Sequence, residues 1–393
     1  MQGEGKKSLV PLMLAATAYM VAGTLFQPVF PLYVRAVGAT TLQVGLLVSL
    51  KQFLPLILRV PLSIAGERFG RRKILIGSLL VLSTAAVLYS RATSFLQLVA
   101  IVLFESFSSA INPFIMSTVS DMSPSDRQGD AMGRYLTFLG LGMLLGPALC
   151  SLLVESLGYS QLFMFASAFP IIGVALIVYG APKFTGASSE VVATQNPGAR
   201  ESLRMILTNR NVLLLSYCRA SFATSQNIIL TLFPLYAADV LGFSDSTVAF
   251  LFTIRGLSNT MVRLPAGLLS DRIGRRKPMI AAYAMLVVAF ALTATVQDYT
   301  LLVAAFAVYG FSWGIRAVSE WAFLTDLVEP EVKTLSISYL SSVFSLGSTL
   351  GSIIAGVLTT FIPYTCIFLL ATALMVPPIP VITVMKKSEE KPG

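Results

Sequence analysis

Residues 59–73 read RVPLSIAGERFGRRK, and residues 263–277 read RLPAGLLSDRIGRRK. Arg59 matches Arg263, Pro61 matches Pro265, and Glu67 matches Asp271. Arg68 matches Arg272, and Gly70-Arg71-Arg72-Lys73 matches Gly274-Arg275-Arg276-Lys277. The offset is 204 residues, about half of a 393-residue chain. Other pairs keep nearly the same offset. Phe30-Pro31-Leu32-Tyr33 returns as Phe233-Pro234-Leu235-Tyr236, Lys51 as the basic Arg255, and Tyr135 as Tyr339. The two halves therefore share one architectural plan.

Composition says what that plan is made of. Hydrophobic residues make up 55% of the chain and charged residues 12%, half the ~25% charged content of a soluble globular domain. The apolar residues lie in long blocks near the ~20 residues that cross a bilayer as a helix. Leu9 to Pro31 contains no charge. The pattern predicts an all-α membrane protein of twelve spans, roughly 9–36, 42–65, 74–90, 95–120, 131–155 and 159–181, then 211–237, 246–269, 279–296, 299–325, 334–361 and 363–385. The two lysines of MQGEGKK precede an apolar run longer than a signal-peptide core, so the run reads as an uncleaved first helix.

The halves are residues 1–181 and 211–393, each a six-helix bundle. Residues 182–210, the longest polar stretch, read as a cytoplasmic linker. Its end, Arg200 to Arg210, has an amphipathic pattern with Leu203, Met205, Ile206 and Leu207, suited to a short helix on the membrane surface. Basic residues fall on one side of the predicted spans, including Lys6, Lys7, Arg68, Arg71 to Lys73, Arg272, Arg275 to Lys277, Lys386, Lys387 and Lys391. The other side holds only Arg35 and Arg91. Positive charge stays inside, so both termini are expected in the cytoplasm of an inner or plasma membrane protein.

Several function classes drop out. There is no histidine, so a histidine metal site or proton relay is impossible, and Cys150, Cys218 and Cys366 lie in apolar blocks. The net charge of +9 is scattered between apolar blocks, which does not fit nucleic-acid binding. No nucleophile–base or metal-ligand cluster marks an enzyme. No glycine-rich phosphate loop marks an ATP-driven pump. Parallel repeats in a membrane protein are instead characteristic of secondary transporters. No metal or cofactor is expected. The expected partners are a small-molecule substrate, protons and the bilayer, with the chain acting as a monomer.

The repeated turn falls between spans 2 and 3 and again between spans 8 and 9. Gly70 and Gly274 permit a tight turn. An acid near a helix end, among arginines, forms a charge cluster that can latch the face and break when the halves move. The candidate latch comprises Arg59, Glu67, Arg68, Gly70, Arg71, Arg263, Gly267, Asp271, Arg272, Gly274 and Arg275. The plain alternative is a pair of basic turns that only fix topology. That alternative does not call for a matched acid, glycine and proline.

Here the chain resembles the major facilitator superfamily, whose loop signature is similar to Gly267-Leu268-Leu269-Ser270-Asp271-Arg272-Ile273-Gly274-Arg275-Arg276-Lys277. The first copy has Ser63 for the leading glycine and Glu67 for the aspartate. Span 5 carries Gly133, Gly142, Gly146 and Pro147 after Ser125-Asp126-Arg127-Gln128-Gly129. This is similar to the antiporter signature of the twelve-helix drug:proton antiporter branch, although Cys150-Ser151 stands where that signature has a glycine pair. Glycines four apart let helices approach closely, which ordinary packing also explains. The arginine frequent in the family's fourth span is replaced by Glu105 in Glu105-Ser106-Phe107-Ser108-Ser109-Ala110. The resemblance implies a major facilitator fold with spans 1, 4, 7 and 10 around a central cavity.

Charges inside a membrane are costly and mark sites. The acids well inside spans are Glu105 and Glu320, the candidates for proton coupling. Arg316 and Glu320 lie four residues apart on one helix face and can pair. Candidate cavity residues are Gln27, Lys51, Asn112, Arg219, Asn227, Arg255, Trp313 and Arg316. Two functions stay open. One is proton-coupled efflux of amphipathic small molecules by alternating access. The other is transport of organic anions or anionic lipids, favoured by six basic residues within spans: Lys51, Arg59, Arg219, Arg255, Arg263 and Arg316.

Overall fold

The computed structural model describes residues 9–123, 128–180, 199–329 and 332–385. Helices account for nearly all of them, and no strand occurs among the described residues. In chain order the α-helices are α1 (Val10–Leu25), α2 (Phe30–Ala36), α3 (Thr41–Phe69), α4 (Arg71–Arg91) and α5 (Phe95–Glu105). Then come α6 (Ile111–Asp121), α7 (Gln128–Ala175), α8 (Ala199–Thr208), α9 (Arg210–Asp239) and α10 (Asp245–Ile273). The last are α11 (Arg276–Thr295), α12 (Tyr299–Leu327), α13 (Lys333–Leu358), α14 (Tyr364–Leu374) and α15 (Pro378–Val384).

Local chemistry sets the helix ends. Thr40 and Gln43 form a reciprocal capping box at the start of α3, with the Thr40 amide donating to Gln43 Oε1 at 2.8 Å. Ser94 caps α5, Asn209 caps α9 and Asp298 caps α12 through side-chain oxygens. Gly70 and Gly274 sit at φ 94° and 84°, in the left-handed region that a side chain disfavours, and nothing crowds either position. Sterically, the repeated turn needs these glycines for conformation rather than for space.

Eight helical stretches among the described residues are long and apolar enough to cross a membrane, and the pair α1–α2, bent by 49°, makes a ninth. The stretch Ala131–Gly180 covers 50 residues, about 75 Å at 1.5 Å per residue. It breaks at Gly158 (φ 68°, ψ 171°), so it supplies two crossings. Helices α9 and α10 have 30 and 29 residues but are too polar to register as apolar spans. The polar groups of α9 are inside: Arg219, Gln226 and Asn227 are all buried. With these two helices and the split stretch, the spans among the described residues number twelve. The protein is an all-helical membrane protein built from two pseudo-symmetric bundles.

Three expected spans are interrupted. Span 1 breaks at Phe26–Val29, where Pro28 offers no amide hydrogen. Span 4 tightens into a 3-10 turn over Ser106–Ala110, directly after Glu105. Span 12 is divided between α14 and α15, with Pro377 and Pro378 at the division. Prolines 55, 61, 147, 170, 234 and 265 lie within continuous helices, as a membrane bundle tolerates.

The described residues divide into two compact units. One lies within Met1–Val192 together with Gly242–Thr253, the other within Ala193–Leu241 together with Ile254–Gly393. Each unit contains the same close helix contact. In the first, α7 lies against α1. A β-carbon on Gly146 would fall 2.1 Å from Thr24 Oγ1, and one on Gly142 would fall 2.8 Å from the Thr17 carbonyl. Thr24 Oγ1 donates to the Gly142 carbonyl at 3.1 Å. In the second, α13 lies against α9. A β-carbon on Gly351 would fall 2.2 Å from the Thr224 carbonyl, and one on Gly347 would fall 2.8 Å from the Ala220 carbonyl. Thr224 Oγ1 donates to the Gly347 carbonyl at 3.1 Å. Small residues here replace side-chain interdigitation with direct backbone approach.

Of the expected linker, residues 182–198 lie outside the described residues. Its end forms α8, with Ile206 buried and Leu207 exposed.

Candidate functional site

In the first unit, Lys51 stands ten residues into α3 and Glu105 ten residues into span 4. At 1.5 Å per residue each is about 15 Å from its helix start, near the middle of a ~30 Å hydrocarbon layer. They meet. Lys51 Nζ is 3.0 Å from Glu105 Oε2, with side chains 31% and 16% exposed. The Tyr89 hydroxyl donates to the same carboxylate oxygen at 2.7 Å. The Lys51 ammonium also lies 4.4 Å from the Phe30 ring centre and 5.5 Å from that of Tyr89.

The cluster opens onto a narrow cleft of about 30 Å³ lined by Phe26, Phe30, Lys51, Tyr89, Glu105 and Phe163 among others. A neighbouring cleft of about 200 Å³ shares Lys51 and Glu105, and adds Tyr19, Ser106, Ser108 and Ser109. One carboxylate thus faces open space, with a flexible cation as its partner.

The second unit treats its acid differently. Arg219 donates to Glu320 Oε1 at 2.8 Å, and Arg316 donates to Glu320 Oε2. Glu320 is 0% exposed, Arg316 2% and Arg219 7%. The guanidinium of Arg219 lies 4.3 Å from the Trp321 ring centre, and that of Arg316 lies 3.7 Å from that of Phe222. Two buried cations share one buried acid, and aromatic faces cover them. Sequence spacing places Arg316 and Glu320 together. It does not reveal that Arg219, a hundred residues away, completes a triad.

Other expected cavity residues are placed as follows. The Arg255 guanidinium lies 5.3 Å from the ring centres of both Tyr309 and Trp313. Asn112 accepts a hydrogen bond from the Tyr135 hydroxyl. Asn227 donates to the Ala223 carbonyl on its own helix at 3.0 Å and is buried. Gln27 sits in the break between α1 and α2. Neither Asn112, Gln27 nor Asn227 lines the two clefts above.

At the second repeated turn, Asp271 receives a hydrogen bond from Arg275, four residues on and across Gly274. The same guanidinium reaches Asp326 at the end of α12, with Nε 3.2 Å from Oδ2. Burial alone lowers the Arg275 pKa, but the hydrogen bonds and charges of Asp271 and Asp326 hold it above the usual arginine value. Arg263 instead donates to Asn259, also on α10, at 3.1 Å. Arg68 and Arg272 are exposed, and Gly267 has only Val318 near its missing β-carbon, at 3.6 Å. At the first turn, Arg71 opens α4, and its neighbour Arg72 donates to the carbonyls of Ile177 and Val178 at 3.0 Å. The Glu67 side chain lies outside the described residues, as do Ser125 to Arg127 ahead of the span 5 signature. Gly133 is exposed and a β-carbon there would meet nothing within 4 Å, whereas Gly142 and Gly146 make the contact with α1 described above. Pro147 follows inside α7.

Sequence reading missed five participants. Tyr89, near the end of span 3, had no sequence signal. Phe30 was visible only as part of the repeated Phe-Pro-Leu-Tyr. Asp326 was not considered. Gly347 and Gly351 were readable, since they repeat the four-residue spacing of Gly142 and Gly146 at an offset of 205.

Comparison with known proteins agrees with this architecture. An uncharacterized MFS-type transporter of Methanocaldococcus jannaschii is 22% identical over 361 residues, covering 89% of this chain and 88% of that protein. A multi-drug resistance efflux pump PmrA homolog of Lactococcus lactis is 23% identical over 354 residues, covering 87% of this chain and 85% of that protein. The crystal structure of the nucleoside transporter NupG, solved as a mutant, superposes with a TM-score of 0.79 at 14% identity. It covers 98% of this chain and 100% of that one. The family model of the Major Facilitator Superfamily matches residues 12–249 and 215–391. Together with the repeated turn and the paired bundles, this shows that the chain belongs to the Major Facilitator Superfamily.

Proposed function

We propose that this transporter is a secondary active, alternating-access exporter of amphipathic small molecules, driven by protons entering in exchange, with Glu105 as the coupling acid. The observation that carries the reading is the contrast between the two intramembrane acids. Glu105 faces a cleft and is held by a lysine on a flexible stem, so a proton or a substrate cation can take its partner's place. Glu320 is sealed between two arginines and has no such access. The 3-10 turn that begins at Ser106 supports the reading too, since such a turn within a span is a common hinge.

The likeness to a multidrug efflux pump supports an export direction and an amphipathic substrate. In this reading the protein is a monomer in the inner or plasma membrane, with both termini cytoplasmic. Its bundles are 1–181 and 211–393, joined by 182–210, and the turns at Gly70 and Gly274 act as conformational latches.

The test uses proteoliposomes with an imposed pH gradient and a lipophilic cation such as ethidium. Glu105→Gln, which mimics the protonated acid, is expected to abolish accumulation driven by the gradient while leaving exchange measurable. Accumulation with the wild-type dependence on the gradient would remove Glu105 from this role.

A second reading, transport of organic anions or anionic lipids, draws on one observation: Arg219 and Arg316 share a single carboxylate, which leaves a surplus of buried positive charge in the second unit. Uptake of a fluorescein-type anion by the wild type, with no transport of ethidium, would favour it.

A further inference from the structure

The surroundings of the Lys51 ammonium are those that would hold a foreign organic cation. Glu105 supplies a carboxylate at 3.0 Å, and Phe30 and Tyr89 supply ring faces at 4.4 and 5.5 Å. A carboxylate with aromatic faces is how proteins bind ammonium groups. The walls of this box are fixed without help from Lys51. The Tyr33 hydroxyl donates to the Tyr89 carbonyl at 2.5 Å. Phe163 stacks on Tyr89 with ring centres 5.1 Å apart, and Phe26 stacks on Phe163 at 3.6 Å. Phe26, Phe30, Tyr89 and Phe163 are all buried. Lys51, 31% exposed on a four-carbon stem, is the most exposed member. Beyond the box, Ala22, Leu82, Ala85 and Ala86 give the cleft an apolar wall. With the lysine in place the free space there is only about 30 Å³, room for about one water, so an arriving head group has to displace it.

We propose that Lys51 is a tethered occupant of a binding box for organic ammonium groups, and that it sets the selectivity of that box. A cationic head group enters only by displacing the lysine from Glu105, Phe30 and Tyr89. Its apolar body then lies along the alanine and leucine wall. The lysine acts as a competitor built into the chain. It excludes weakly bound cations and admits those whose rings and apolar surface outweigh it. The apparent affinity of such a ligand is reduced by the fraction of molecules in which the box is empty. A role for Lys51 as an anion hook fits the geometry less well, because an arriving anion would lie against the Glu105 carboxylate and be repelled. The proposal rests on the reading of this cleft as the substrate site, but not on proton coupling through Glu105.

The test is equilibrium binding of radiolabelled benzyltrimethylammonium to purified full-length protein in nanodiscs, without any ion gradient. Lys51→Met frees the box and is expected to bind the probe about tenfold more tightly than wild type, as for a lysine that fills the box about nine-tenths of the time. The double variant Lys51→Met/Glu105→Gln is expected to lose that gain. Lys51→Gln serves as a second variant if Lys51→Met melts early. Equal or weaker binding by both single variants overturns the proposal. So does tight binding of benzenesulfonate by wild type that disappears in Lys51→Met. Because no gradient is present, failure of proton coupling in transport assays leaves this result unaffected, and the two readings fail separately.

Discussion

Replacing Glu320 with glutamine should damage this protein far more than the same change at Glu105. Glu320 is wholly buried and is the shared partner of Arg219 and Arg316. Removing its charge leaves two guanidiniums inside the second unit with no compensating carboxylate. Breaking a buried ion pair in this way costs about 3–5 kcal/mol, because the cations left behind are already desolvated. The Lys51–Glu105 pair is partly open to the cleft, and its partner can turn toward water. Its loss should cost roughly 1 kcal/mol or less. For a unit of this size, about 3–5 kcal/mol corresponds to a fall in Tm on the order of 10 °C, against a few degrees for Glu105→Gln.

Scanning fluorimetry of the purified proteins in one detergent reads both. A third variant separates lost charge from lost packing: Arg219→Met/Arg316→Met/Glu320→Met replaces the whole triad with apolar side chains. It should recover most of the stability lost in Glu320→Gln, since buried ion networks are often matched by apolar residues of similar volume. The reasoning is refuted if Glu320→Gln melts within a few degrees of wild type, or if Glu105→Gln falls as far.

Two further outcomes follow from packing and from the turn. Gly351→Val would drive a side chain into the Thr224 carbonyl, where a β-carbon alone comes within 2.2 Å; a loss of about 1–3 kcal/mol is expected, and an unchanged Tm would show that α9 and α13 are not in close contact. Asp326→Asn removes one of two carboxylates on Arg275. Spin-label distances across the α10–α11 turn should then redistribute, whereas unchanged distances and unchanged transport would sink the latch. The Arg275 pKa is raised in the folded protein. Its contribution is therefore complete below the unfolded value and fades only as pH climbs through the still higher folded value. The wild-type distances should accordingly match at pH 7 and pH 10, and a shift between them would contradict this account.

The fold was legible because its signals are long-range and redundant. A bilayer fixes helix length, the 204-residue repeat fixes the two-bundle plan, and both survive local noise. Interruptions were less legible. Pro28 marks the break in span 1 openly, but nothing in Ser106–Ala110 advertises a 3-10 turn, because serine and alanine are compatible with either helix. The site was legible only where residues share a helix. Arg316 and Glu320 could be paired from their spacing of four. Lys51–Glu105 and Arg219–Glu320 join different helices, and periodicity carries no information about which faces meet. Tyr89 shows the limit most sharply. In sequence it is one aromatic residue in an apolar block, and only its hydroxyl on Glu105 and its ring beside Lys51 give it a role.

The repeat also shows where the halves part chemically. At the offset of 204, Lys51 corresponds to Arg255 and Glu105 to Tyr309. Both units keep the cation and keep it in contact with the residue at the second position. In the first unit that residue is a carboxylate, and the ammonium pairs with it at the edge of a cleft. In the second it is a ring, and the guanidinium lies 5.3 Å from its centre at 3% exposure. A cation over a ring exchanges no proton and presents no negative charge to a substrate. A carboxylate at position 105 is chemically able to do both. In the proposed reading, this chemical asymmetry on a symmetric scaffold confines proton and cation chemistry to the first unit's cleft. Glu320 in the second unit is instead paired with Arg219 of α9 and Arg316 of α12.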